Sequence, residues 1–152
     1  MFKAYIDSPV GVLEVVCSAK GLTNINFVKK KKVPSYNKVL LKCESQLKDY
    51  FSGKRKSFDL PLDLSGSTFE KKVWGELKRI PYGKTKSYKE ISVSINNNYA
   101  SRAVGNANKK NCIPIIIPCH RVIKSNGDIG GYSAGLWRKK WLLEHEARHK
   151  SL

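Results

Sequence analysis

The chain has 152 residues, enough for one sizeable core or two small lobes. Its 29 Lys and Arg against 12 Asp and Glu give a formal charge of +17, which points to a polyanionic partner, with nucleic acid in the lead. An anionic membrane surface is the rival, but no long apolar helix, lipidation signal or basic amphipathic anchor supports it. Cysteines at 17, 43, 112 and 119 form no Cys-x-x-Cys pair, and histidines at 120, 145 and 149 offer no structural-zinc spacing, so neither a disulfide framework nor a metal site is expected. Met1-Phe2-Lys3 leads into a strand instead of a signal peptide, so the chain reads as reduced and intracellular.

Residues 2–28 alternate apolar and polar positions around two turn signals, Ser8-Pro9 with Gly11 and Lys20-Gly21, which predicts a three-stranded meander. The run Lys29 to Lys32 reads as a solvated loop. From Val33 to Phe51, the near-helical spacing of Val39, Leu40, Leu47 and Phe51 predicts a helix closed by Gly53. Phe58 to Leu62 is a candidate fourth strand, and Pro61 to Ser67 a linker, which divides the chain into lobes at 1–63 and 64–152.

Ser67 and Glu70 form a capping-box pattern ahead of a helix with Phe69, Val73, Trp74, Leu77 and Ile80 on one face, stopped by Pro81 and Gly83. A second box, Ser87 with Glu90, starts a short helix through Ile91 and Val93. Asn96 to Asn98 then form a turn, with Asn98 as candidate cap of a helix whose Ala100, Ala103, Val104 and Ala107 recur at helical spacing. Two short helices joined by a polar turn read as a helix-turn-helix. On the second, Arg102 lies opposite the apolar stripe with Gly105 and Asn106 beside it. A solvated arginine and a cation entering a base stack both fit that face.

Ile115 to Ile117 read as a buried strand ending at Pro118, which places Cys119 on the rim of a core. Cys119 is followed directly by His120, and an adjacent imidazolium or general base can lower a thiol pKa from about 8.5 into the physiological range. An inert buried cysteine beside a surface histidine is the alternative. The last helix carries Glu146 between Leu142 and Leu143, facing the core, where a carboxylate needs a partner; His120 or a surface cation, Arg148 or Lys150, can supply one.

Pro118-Cys119-His120-Arg121-Val122, Gly131-Tyr132-Ser133 and Leu142-Leu143 with Glu146 occur in order, and here the chain closely resembles the O6-alkylguanine-DNA alkyltransferases. The resemblance is specific from Ser67 to Glu146 and rests on size and coarse pattern before that. It implies an α+β fold, with a small N-terminal α/β lobe, ribonuclease-H-like in the family, packed on a mostly helical C-terminal lobe with a helix-turn-helix. It implies alkyl transfer from O6-alkylguanine, and from O4-alkylthymine, in double-stranded DNA to Cys119, with minor-groove binding and base flipping. His120 is then the base, acting through a bridging water, and Glu146 orients the imidazole. Tyr88 and Ser133 donate to the base, Asn111 braces the cysteine segment, and Pro114, Val122, Tyr132 and Ser133 form the pocket. Arg102 fills the gap left by the flipped base, with Ser101, Ala103, Gly105 and Tyr88 completing the DNA-contacting set. No cofactor is expected, although some relatives hold zinc in the first lobe through ligands not recognisable here. A thioether is a poor leaving group, so each chain acts once. The protein would work as a monomer, with cooperative packing along DNA left open, in the cytoplasm of a prokaryote or the nucleus of a eukaryote. A helix-turn-helix regulator or lesion sensor without chemistry would leave Cys119, His120 and Glu146 idle. A cysteine hydrolase would need no basic surface.

Overall fold

The computed structural model describes residues 1–151, which form two compact units, 1–65 and 66–151. In the first, β1 (Phe2–Ile6), β2 (Val12–Cys17) and β3 (Leu22–Val28) make an antiparallel sheet in the order β1-β2-β3, with Phe2 opposite Cys17 and Val12 opposite Val28. Its alternation buries Ala4, Ile6, Leu13, Val15 and Ile25.

Helix α1 (Lys38–Phe51) starts later than the sequence suggests, because Asn37 caps it by accepting from the Leu40 amide at 2.9 Å. Val33 lies outside it and is 91% exposed. The buried face is Leu40, Cys43, Gln46, Leu47 and Tyr50, so Val39 and Phe51 sit only at its margins. At its end Gly53 adopts φ 81° and donates to Tyr50 O, while Lys54 donates to Asp49 O, a paired closure that satisfies two terminal carbonyls. The fourth strand does not form: Phe58 to Leu62 contributes only an isolated bridge from Leu62 to Leu22.

The second unit holds α2 (Thr68–Lys78), α3 (Tyr88–Ser94), α4 (Ser101–Lys109), α5 (Leu136–His149) and a short parallel pair, β4 (Lys86–Ser87) with β5 (Val122–Ile123). Both capping boxes are present, Ser67 with Glu70 and Ser87 with Glu90. The Trp74 indole donates to Ala107 O at 2.9 Å and pins α2 to α4, which also packs on α3. Two details differ from expectation. Val93 is half exposed, and α4 is capped at Ala100 without a side-chain bond, so Asn98 is not its cap. Among the described residues no helix is long and apolar enough to cross a membrane.

Candidate active site and nucleic-acid interface

The segment before the reactive cysteine is a knot of turns instead of a strand. Ile115 takes φ 75°, a left-handed conformation rare for a β-branched residue, and only an isolated bridge joins Pro114 to Ile117. Asn111 closes the loop from inside: its Nδ2 donates to Ile117 O at 2.8 Å and its Oδ1 accepts from the Ile113 amide at 3.0 Å. Pro118 then leads into a 3-10 turn, Cys119–Arg121, whose three side chains are all buried. The tight turn sends consecutive residues in different directions, with Cys119 into a cavity and His120 and Arg121 toward α5.

Glu146, 1% exposed on α5, receives both. His120 Nε2 lies 2.7 Å from Oε2, and Arg121 donates from Nε to Oε1 at 2.7 Å and from Nη2 to Oε2 at 3.1 Å. A third Arg121 nitrogen, Nη1, donates to Ile80 O at 2.7 Å. An ionised carboxylate only accepts, so Nε2 carries the imidazole proton and Nδ1 presents its lone pair, with no partner among the described residues. Burial pushes the Glu146 carboxyl up, but His120 and Arg121 outweigh it and hold the group well below the usual carboxylate range. Burial also lowers the His120 pKa, Glu146 opposes that, and Arg121 and Lys139 reinforce it, so His120 rests neutral.

At Cys119 the lowering of the thiol pKa that an adjacent imidazole can bring about is outweighed. The residue is 5% exposed, and burial raises its pKa more than Asn111, Tyr132 and Lys139 lower it. The thiol is therefore protonated at rest, and its proton has to leave as the reaction proceeds. It faces a cavity of about 200 Å³ lined by Tyr88, Asn108, Cys119, Tyr132 and Ser133, with Lys109 and Lys124 also on its wall. Burial, then the nearby Cys119, raises the Tyr88 pKa, and the same influences raise that of Tyr132 well above its ordinary value. Both phenols stay protonated and able to donate. Pro114 and Val122 are buried close by in the chain but do not line this cavity.

Three residues escaped the sequence reading. Arg121 shares Glu146 with His120; Asn108 lines the cavity; and Lys139, fully buried, donates to Val122 O at 2.7 Å and Gly131 O at 3.0 Å. Burial pulls the Lys139 pKa down to about 8, with Cys119 opposing. Lys139, Leu142 and Glu146 recur at helical spacing on α5, a signal present in the sequence.

On α4 the buried residues are Val104, Ala107 and Asn108, following buried Ala100 at its cap, so Ala103 faces outward, unlike its place in the expected stripe. Arg102, Ala103, Asn106 and Lys109 form the exposed face, and Ser101 is half buried. Gly105 is half buried too: a Cβ there would stand 3.9 Å from the Tyr88 ring, in ordinary contact. Small residues around one exposed guanidinium make a face that can approach a duplex closely.

Comparison with known proteins agrees along the whole chain. Residues 1–64 match the ribonuclease-like domain, and residues 68–148 the DNA binding domain, of 6-O-methylguanine DNA methyltransferase. A methylated-DNA–protein-cysteine methyltransferase of Methanosarcina barkeri is 47% identical, covering 96% of this chain and 97% of its own length. The crystal structure of the Mycobacterium tuberculosis O6-methylguanine methyltransferase superposes with a TM-score of 0.88 at 40% identity, covering 98% of this chain and 94% of the other. A second structure of the M. tuberculosis protein, in complex with DNA, gives a TM-score of 0.88 at 41% identity, over 95% of this chain and 92% of the other. On its sequence, its fold and these relatives, the chain belongs to the 6-O-methylguanine DNA methyltransferase family.

Proposed function

We propose that the protein repairs O6-alkylguanine in double-stranded DNA by moving the alkyl group irreversibly to Cys119, once per chain and without a cofactor. The observation that carries this reading is a buried thiol opening into a base-sized cavity while the next residue in the chain, a neutral imidazole, is hydrogen-bonded to a buried carboxylate. A target base inside a duplex hides its alkyl carbon in the stack, so it has to be extruded, at a cost of a few kcal/mol. Arg102 enters the stack in its place from the minor groove, with Ser101, Ala103 and Gly105 bringing α4 close, and the +17 charge holds the phosphates.

In the cavity His120 Nδ1 takes the Cys119 proton through a water while Glu146 holds Nε2–H. Sulfur attacks the alkyl carbon as the bond from that carbon to O6 breaks, and the bonding pair leaves with the guanine. Tyr88 and Ser133 donate to the developing anion, and the proton returns to it from the imidazolium, which leaves neutral guanine and a thioether. Burial, reinforced by Arg121, keeps His120 from holding a proton at rest. Asn111 fixes the backbone that aims the sulfur. O4-alkylthymine offers the same alkyl-oxygen bond. The protein acts as a monomer, in whichever compartment of its cell holds the DNA.

The test is to incubate the protein with an O6-methylguanine duplex and weigh it intact. One stoichiometric methyl, mapped to Cys119, is expected. DNA binding without a mass change would instead support a lesion sensor, and multiple turnovers would point to a hydrolase.

A further inference from the structure

Two cations on the cavity wall have no part in the reaction above. Lys109, in the last turn of α4, and Lys124, which follows β5, both line the cavity that Cys119 faces, and both are exposed. A side chain that lines a cavity and also meets solvent stands at its mouth. The stem of Lys124 packs close to the pocket: its Cγ lies 3.7 Å from where a Cβ on Gly130 would stand, and the Tyr88 hydroxyl lies 3.5 Å from the same point. Neither ammonium has a hydrogen-bond or ion-pair partner among the described residues, whereas the neighbouring cations are taken, Lys110 by Glu70 at 3.7 Å and Lys139 by two backbone carbonyls. Among the described residues no carboxylate lines the cavity. Its mouth therefore carries two charges that await an anion from outside.

We propose that Lys109 and Lys124 hold the two phosphates of the extruded nucleotide at the cavity mouth, as positioning residues for the alkyl transfer. The inference rests on the alkyl-transfer reading and deepens it. A base that enters the cavity stays joined to its strand, so with the alkyl carbon against Cys119 its deoxyribose and both flanking phosphates are left at the mouth. The strand has to bend sharply to deliver the base, and two ammonium groups at that point stabilise the bent form by pairing with its phosphates. The cavity walls exclude water, which focuses the field of the two cations toward the opening. Arg102 and Lys109 are seven residues apart on α4, close to two full turns, so they share one face about 10 Å apart along the axis. The group that enters the stack and one of the groups that hold the displaced strand thus stand on one rigid element.

The experiment compares O6-methylguanine duplexes whose lesion strand has ordinary phosphodiesters throughout, uncharged methylphosphonates at the two linkages flanking the lesion, or the same two methylphosphonates far from it. Single-turnover rates of methyl gain on Cys119, at low salt and sub-saturating duplex, are read by intact mass for three proteins. These are wild type, the double variant Lys109→Gln with Lys124→Gln, and the double variant Lys109→Arg with Lys124→Arg. The slowing caused by flanking methylphosphonates should be about tenfold larger in wild type than in the Gln variant, the upper range of what two exposed ion pairs supply. The slowing caused by remote methylphosphonates should be the same in both. The Arg variant keeps both charges and should keep the wild-type response. An unfolded fraction, or a change in how easily the modified strand bends, enters these ratios equally and cancels. The same flanking effect in wild type and the Gln variant overturns the assignment, as does an Arg variant that behaves like the Gln variant, which would give the effect to the lysine stems and not to their charge. No methyl transfer by wild type from the all-phosphodiester duplex overturns the underlying reading instead, so the two failures are distinguishable.

Discussion

Replacing Glu146 with Gln tests the buried array at its centre. The carboxylate accepts from His120 Nε2 and from two nitrogens of Arg121, all within 3.1 Å, and the replacement leaves a guanidinium that is 6% exposed without its counter-charge. Breaking a buried pair from one side costs about 3 to 5 kcal/mol. The glutamine oxygen still accepts from Arg121, so we expect about 3 kcal/mol, a fall in melting temperature of roughly 6 to 12 °C for a chain of this size. With that oxygen on Arg121, the glutamine amino group meets Nε2 and forces it to accept, which moves the imidazole proton to Nδ1. The nitrogen that should receive the thiol proton is then blocked, and methyl transfer should slow on the order of 10² to 10⁴-fold. The pH dependence has a definite sign. Despite its burial, the Glu146 pKa is held below the ordinary range by His120 and Arg121, so its stabilisation is complete above the unfolded value of about 4.3 and is lost as pH falls through the folded one. Urea melts of both proteins at pH 7 and pH 3 should show the difference narrowing at the lower pH. An equal difference at both, or an unslowed transfer, would refute the reasoning. In a double-mutant cycle, Arg121→Met together with Glu146→Gln should cost less than the two singles added, because the charge stranded by each is then gone.

Cys119→Ser should abolish methyl transfer while leaving duplex affinity near normal, since a hydroxyl is a far weaker nucleophile and no phosphate contact changes; intact mass and a gel-shift titration check both halves. Arg102→Ala should slow repair in duplex DNA at least tenfold more than reaction with free O6-benzylguanine, which needs no extrusion, and equal losses would assign Arg102 to the pocket or the fold. Alkylated protein should melt below the free form. The added carbon stays against the Asn111-braced turn, where overpacking costs about 1 to 3 kcal/mol, and a benzyl adduct melting at or above the free protein would exclude this.

Local capping signals were the most legible part of the fold. Ser67 with Glu70 and Ser87 with Glu90 begin their helices where the pattern puts them, because a capping box uses side chains and backbone amides only a few residues apart. Phase was harder to read. Val39, Leu40 and Leu41 are three apolar residues in a row, so the sequence fits several helical faces, and packing against the sheet selects the one through Leu40 and Cys43. Ala103 misleads for a related reason, since a methyl group is tolerated equally inside and out. The run Ile115 to Ile117 has the composition of a strand, and nothing in it announces the positive φ at Ile115 that Asn111 and the surrounding core impose.

At the site, the motif carried Cys119, His120 and Glu146 to neighbouring positions, but the charged residues that tune them read as surface. Arg121 lies next to His120 and would be taken for a solvated cation until Glu146 is seen to grip both. Lys139 hides among Arg138 and Lys140, one member of a basic run turned inward by helical phase. The state of the thiol was the least legible feature, because it depends on how completely several distant segments close over it.

That closure determines how the protein keeps between lesions. Oxidants and small electrophiles consume thiolates, and they do so in proportion to ionisation and access. A cysteine 5% exposed, its thiol kept protonated by burial, is a poor target for both. For a chain that can react only once, any adventitious hit would be a loss equal to a completed repair. Holding the thiol dormant until a base fills the cavity and the imidazole accepts its proton lets a stored pool of the protein stay competent in a chemically hostile cell.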